Sequence, residues 1–258
     1  MFKQRVITAL IGVPLITVLM YAGDVYSRVF FVLLAWLSIT EFYRMMRDSK
    51  QQPLYLAGYL LALILILPDY WGDYYHLLLL LVLLLAVGQL IIAYPQINIT
   101  DMGLSLFFAG YVAWLLSYAV KILMFPDGFA LIMFCFAVTW CNDIGGYMAG
   151  KKWGRRRIVP QLSPKKSWEG FIGALMAAVL AAFVFDYLVD SQIWSWYYAV
   201  LVGTLACIAA HAGDLLASAA KRYYNVKDSG SLLPGHGGFL DRFDSFFLVA
   251  PVIYYLLK

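Results

Sequence analysis

Apolar residues gather in nine long runs, at 7–22, 26–43, 54–67, 75–94, 104–124, 130–149, 171–189, 194–212 and 243–257. Most are long enough to cross about 30 Å of hydrocarbon at about 1.5 Å per residue, so each predicts a transmembrane α-helix. The third and ninth runs are the shortest, and eight or ten spans are the alternatives nearest to nine. The two halves of the chain are patterned differently. Up to Pro126 the connections are short and chemically plain, and residues 77–85 are almost pure leucine, so 1–126 reads as a transmembrane scaffold. From Thr139 onward, polar residues collect at helix ends and in two long connections, 151–170 and 213–242, which makes 127–258 the expected catalytic half. Connections of that length in a compact chain are functional or disordered, and the lack of low-complexity sequence or internal repeats favours function.

Composition fixes the class. Of 258 residues, 63% are hydrophobic and 13% charged, against about 45–50% and about 25% in soluble domains. That leaves too little polar material to cover a water-bounded globule, and a polytopic all-α membrane protein is the remaining solution. The net charge of +4 comes from residues beside the spans and points to no nucleic-acid partner. With the N-terminus in the cytoplasm, every Lys and Arg except Arg28, Lys121 and Lys258 falls on the cytoplasmic side, while Asp24, Asp69, Asp73, Asp127, Asp186 and Asp190 lie outside. The positive-inside rule therefore predicts nine spans, N-terminus in and C-terminus out. The first run follows Lys3 and Arg5 but has no small-residue cleavage site, and it is kept as a mature helix. Cys135, Cys141 and Cys207 sit in or at the ends of apolar runs without metal-ligand spacing and read as packing residues.

The candidate chemistry lies on the cytoplasmic side. Asp143 follows the apolar stretch 134–141; a carboxylate there costs about 2.5–3.5 kcal/mol to insert and needs a partner or a wet cavity. Residues 145–151 resemble a phosphate-binding loop, yet Lys152 stands where Ser or Thr is needed and a membrane helix precedes it, so Gly146 and Gly150 are read as a small-residue packing face. Arg155, Arg156 and Arg157 are accounted for as a topology signal or anionic-lipid patch. Ser163, Lys165, Lys166 and Ser167 differ, because they lie between a proline turn and the start of a membrane helix, where cations, hydroxyls and helix amides can hold phosphate oxygens together.

The densest segment is 213–244. On a helix, Asp214, Ser218, Lys221 and Arg222 share one face, and Asp241 and Asp244 at i and i+3 point the same way, able to share a divalent ion beside Arg242. Between them, residues 233–238 form a glycine-rich turn whose amides can converge on an anion. Carboxylates from several helices, cations and such a turn fit a metal-dependent site for a polyphosphate substrate. This segment, Ser218-x-x-Lys221-Arg222-x4-Lys227-Asp228-Ser229-Gly230-x-x-Leu233-Pro234-Gly235-His236-Gly237-Gly238-Phe239-x-Asp241-Arg242-Phe243-Asp244, resembles the signature of the phosphatidate cytidylyltransferases, or CDP-diacylglycerol synthases. Asn142-Asp143 with Tyr147, Ser163-Pro164-Lys165-Lys166-Ser167-Trp168-Glu169-Gly170 and Gly213-Asp214-Leu215 extend the likeness in the family's order, whereas the N-terminal half matches only in its pattern of spans.

The resemblance implies transfer of a cytidylyl group from CTP to phosphatidate, with the site facing the cytoplasm, and the shortness of the chain suggests a bacterial plasma membrane. It implies Mg2+, a second and monovalent cation such as K+, and a homodimer. Carried over residue by residue, Asp214, Asp241 and Asp244 become metal ligands, with Asp143 and Lys221 beside them in the catalytic set. Ser163, Lys165, Lys166, Ser218, Arg222, Lys227, Asp228, His236, Gly237, Gly238 and Arg242 become substrate-binding residues. The chain departs from the family at Ala217, where Glu is usual. That departure keeps open a related CTP-dependent transferase acting on another lipid phosphate or a polyprenol, and an inactive relative. A transporter is disfavoured, since neither internal repeats nor interrupted midplane helices are seen.

Overall fold

The computed structural model describes residues 2–189, 195–230 and 237–258, with side chains from residue 10 onward. Within them the chain is all-α, with nine α-helices: α1 (Phe2–Tyr21), α2 (Asp24–Asp48), α3 (Tyr55–Ile66), α4 (Tyr75–Ala93), α5 (Ile99–Leu123), α6 (Gly128–Trp153), α7 (Trp168–Leu188), α8 (Trp196–Tyr223) and α9 (Leu240–Leu257). Two short 3-10 helices, Pro68–Tyr70 and Gly72–Tyr74, join α3 to α4. Each helix falls on one of the nine apolar runs. Among the described residues, six helices are long and apolar enough to cross a membrane: α2, α4 with the short helix before it, and α5 to α8. The protein is a polytopic membrane protein. α3 is apolar but has 12 residues, about 18 Å of helix, and α9 opens with Asp241, Arg242 and Asp244, which dilute its apolar length.

Several helices run past their apolar segments at the polar end. α2 continues to Asp48, α6 to Trp153 and α8 to Tyr223, so the first part of the long connection 213–242 is helical. A hydropathy reading stops where charge begins, whereas backbone hydrogen bonding stops only where geometry or a cap ends it. Local chemistry sets some of these ends. The Ser167 hydroxyl accepts from the amide of Gly170 and caps α7. Before α5, Asn98 Oδ1 accepts from the amides of Thr100 and Asp101 while Asp101 Oδ2 accepts from the Asn98 amide, a reciprocal capping box.

The chain forms two compact units, one of Met1–Lys121 with Tyr223–Arg242 and the other of Ile122–Arg222 with Phe243–Lys258. In the first, Phe42 stacks on Phe108 with centroids 3.8 Å apart and meets Tyr224 edge-on. The fully buried Tyr43 donates its hydroxyl to the Ser105 carbonyl. Burial pushes the Tyr224 phenol up, keeping it a neutral donor to Gln51 Oε1 at 2.8 Å. In the second, Phe136 stacks on Phe246, and α6 and α7 pack backbone to backbone. A Cβ on Gly145 would come 2.6 Å from the Gly173 carbonyl and the Ala177 methyl, and one on Gly173 would run into Ala149. The expected small-residue face on α6 thus exists, with Gly145 making its tightest approach and Gly146 and Gly150 facing Gly170 more loosely.

Candidate active site

In the second unit, Gly213 brings α8 against α9: a Cβ there would collide with the carbonyl of Asp244. This close approach sets the turn of α8 that carries Asp214 beside Asp244 and Ser245 of α9. Lys166, from the loop before α7, pairs with Asp214 through Nζ to Oδ2 at 2.6 Å. Ser218, one turn along α8, donates to Asp214 Oδ1 at 3.3 Å. Asp244 is 7% exposed; the amide of Ser245 donates to its Oδ1 at 2.7 Å. The charges acting on it are Asp214, Lys221 and Asp143. Asn142 Nδ2 reaches Asp143 Oδ1 at 3.3 Å, while Asn142 Oδ1 is buried without a hydrogen-bond partner. Asp143, Lys166, Asp214, Ser218, Lys221 and Asp244, all predicted from sequence, are therefore assembled from α6, the following loop, α8 and α9.

The loop 154–167 is itself ordered by backbone and carboxylate contacts. Glu169 Oε2 accepts from the amides of Arg155 and Arg156 at 3.0 and 3.3 Å, and the amide of Ile158 donates to the Lys166 carbonyl. Ser163 is half-buried in a turn, its amide bonded to the Val159 carbonyl. Lys165 is exposed, its carbonyl accepting from Arg157 Nη1 at 2.9 Å. Arg222, also exposed, reaches the Leu162 carbonyl through Nε at 3.3 Å. Two neighbouring lysines thus have different settings, and only Lys166 pairs with an acid among the described residues.

In the first unit, Asp241 Oδ2 accepts from the amides of Ser229 and Gly238, at 2.8 and 3.3 Å, and lies 3.0 Å from the Ser229 hydroxyl oxygen. Gly237 adopts φ +82°, a conformation that favours glycine, and a Cβ there would press on Asp241 Oδ2. Lys227, Asp228 and Arg242 are exposed. His236, with Leu233, Pro234 and Gly235 of the turn, lies outside the described residues, as do Asp190 and the start of the eighth run at Trp194.

Two residues absent from the sequence reading belong to these settings. Glu41 of α2 is fully buried among Ser229, Phe239 and Leu240; its legible trace is a carboxylate inside the apolar run 26–43. His211 lies one turn before Asp214, its Nδ1 3.0 Å from the Cys207 carbonyl and its ring against Phe171, with Lys166 and Asp214 acting on it electrostatically.

The donor set of the second unit consists of carboxylate, hydroxyl and amide oxygens, which suits a hard divalent cation. Among the described residues no three acidic, His or Cys side chains enclose an ion by themselves. Mg2+ does not need that, because it takes one or two carboxylates and completes its shell with phosphate oxygens and water. Acids outnumber cations around Asp244, a balance that favours an added positive charge.

Residues 3–258 match the cytidylyltransferase family. The chain belongs to that family. It is 31% identical to the phosphatidate cytidylyltransferase of Bacillus subtilis (strain 168), over 99% of this chain and 97% of the relative. Against the phosphatidate cytidylyltransferases of Staphylococcus haemolyticus (strain JCSC1435) and Staphylococcus aureus (strain COL) it is 32% and 30% identical, over 99% of this chain and 98% of each relative. The likeness within the cytidylyltransferases thus runs the full length, α1 to α5 included, beyond the C-terminal signature that first indicated it.

Proposed function

We propose that this cytidylyltransferase transfers a cytidylyl group from CTP to phosphatidate, giving CDP-diacylglycerol and pyrophosphate. The observation that carries the reading is the buried Asp244 in the electrostatic field of Asp214, Lys221 and Asp143, with Lys166 paired to Asp214 at 2.6 Å. In the transfer, a phosphate oxygen of phosphatidate forms a bond to the α-phosphorus of CTP. The bond from that phosphorus to the bridging oxygen breaks, and the electron pair leaves on pyrophosphate. The attacking group is already ionised, so no side-chain nucleophile is required, and the protein's contribution is positioning and charge stabilisation.

Asp214 and Asp244 are the proposed ligands of Mg2+ in the second unit, with Asp143 orienting them, and Asp241 is a proposed Mg2+ ligand in the first. An ion bound there would polarise phosphate oxygens and offset charge on the leaving group. Lys166 and Lys221 hold substrate phosphates against the acidic cluster. Lys165, Arg222, Lys227 and Arg242 add cationic contacts at the polar surface, and Ser163, Ser218, Asp228, His236, Gly237 and Gly238 shape the nucleotide end. A homodimer and a monovalent cation complete the proposal on the family resemblance alone.

The test is formation of CDP-diacylglycerol from labelled CTP and phosphatidate by purified protein in detergent, with Mg2+ and after its removal by EDTA. Product is expected only with the metal, and Asp244→Asn is expected to abolish it while helical content and thermal stability persist. Wild-type turnover by that variant would defeat the metal assignment. Product from another lipid phosphate alone would favour the related-transferase reading that Ala217 keeps open.

A further inference from the structure

Glu41 sits near the polar end of α2 with its side chain fully buried. A buried carboxylate is tolerated only where hydrogen bonds replace the water it has lost. Here they do: Oε1 accepts from the Phe239 amide at 2.9 Å, and Oε2 accepts from the Leu240 amide at 2.9 Å and the Ser229 hydroxyl at 2.8 Å. The two amides open α9, where the first N–H groups have no partner within the helix and the dipole favours an anion. Ser229 stands on the other flank of residues 231–236. One carboxylate therefore ties both flanks of the glycine-rich stretch.

The neighbouring glycines leave room for it. A Cβ on Gly230 would come 2.8 Å from Glu41 Oε1, and one on Gly238 would run into Oε2 and the Ser229 hydroxyl. Ser229 also serves Asp241, whose Oδ2 accepts from its amide and lies 3.0 Å from its hydroxyl oxygen. Three donors converge on two oxygens of Glu41, a demand that an acceptor-only group meets and an amide cannot, since its NH2 would face one of them.

We infer that Glu41 is a positioning residue of the transferase, acting through Ser229 and the Phe239 and Leu240 amides to fix the segment that carries Asp241 and Arg242. The inference rests on the reading above that this segment handles the nucleotide and its metal. It assigns to an N-terminal helix a part in substrate binding.

The test compares the full-length wild type with Glu41→Gln in detergent, by hydrogen–deuterium exchange and by initial rates with CTP and phosphatidate varied separately. Exchange over residues 226–242 is expected to rise by about tenfold or more in the variant, with α6 and α7 unchanged. KM for CTP is expected to rise about tenfold, the loss of a hydrogen bond to a buried charge, while KM for phosphatidate stays within about twofold. Glu41→Asp, which keeps the charge, should retain more CTP affinity than Glu41→Gln. Wild-type exchange at Phe239 and Leu240, or both KM values rising together, would overturn the inference. If the wild type makes no CDP-diacylglycerol, the functional reading fails by itself and exchange still decides the positioning role. If Glu41→Gln does not fold, Ser229→Ala removes one donor of the three, and unchanged exchange in that variant would overturn the inference.

Discussion

Lys165 and Lys166 are adjacent, equally charged and both within two residues of Pro164, so their sequence gives no ground for ranking them. Burial and pairing do. Lys166 is half-buried and bonded to Asp214, while Lys165 is exposed, where a charge is screened and contributes little. Lys166→Met is therefore expected to lower kcat/KM by about a hundredfold, the usual loss on deleting one charge-stabilising group. Lys165→Met should cost less, and its loss should shrink further in high salt. Steady-state rates of the two variants at low and high ionic strength check the ranking, and equal losses would contradict it. The predicted acidic pair is also differentiated at this scale. Asp244 is buried in the electrostatic field of Asp214, whereas Asp241 Oδ2 is engaged by Ser229 and Gly238, although the two residues share a helix face by spacing.

Among the elements, α6 and α7 show how small residues serve chemistry indirectly. Their close approach at Gly145 and Gly173 anchors α6, which carries Asp143, to the helix that begins two residues after Lys166. In a membrane such packing draws on van der Waals contact, since lipid tails are as apolar as the helices themselves. Gly173→Leu should force the pair apart and cost about 1–3 kcal/mol. The expected readout is a lower Tm in detergent together with reduced turnover, and an unchanged Tm would show that the contact adds nothing to stability. Ile172, exposed and next to it in sequence, is the control: Ile172→Leu should leave Tm unaltered.

For the whole molecule, charge asymmetry across the spans makes a prediction about orientation. A cysteine introduced at Arg156 should react with a membrane-impermeant thiol reagent only from the cytoplasmic face, and one at Asp73 only from outside. Labelling of intact and inverted vesicles distinguishes the two, with the wild type giving the background of Cys135, Cys141 and Cys207, which all lie within helices. The reverse pattern would invert the topology and place the site on the wrong side for cytoplasmic CTP.

Helix number, fold class and the location of most candidate residues were legible in the sequence, because apolar length and charge placement are linear properties that a bilayer imposes one segment at a time. The signature from Ser218 to Asp244 was legible as well, being contiguous. Helix ends were less so: α6 and α8 continue into charged sequence because backbone hydrogen bonds do not respond to hydropathy. Only the tertiary structure singled out Lys166, gathered Asp143, Asp214 and Asp244 from three helices, and joined Glu41 to donors 188 to 199 residues away. Such contacts depend on which backbones approach closely enough, at Gly213 or Gly238 for instance, and that separation in space has no counterpart in the order of residues along the chain.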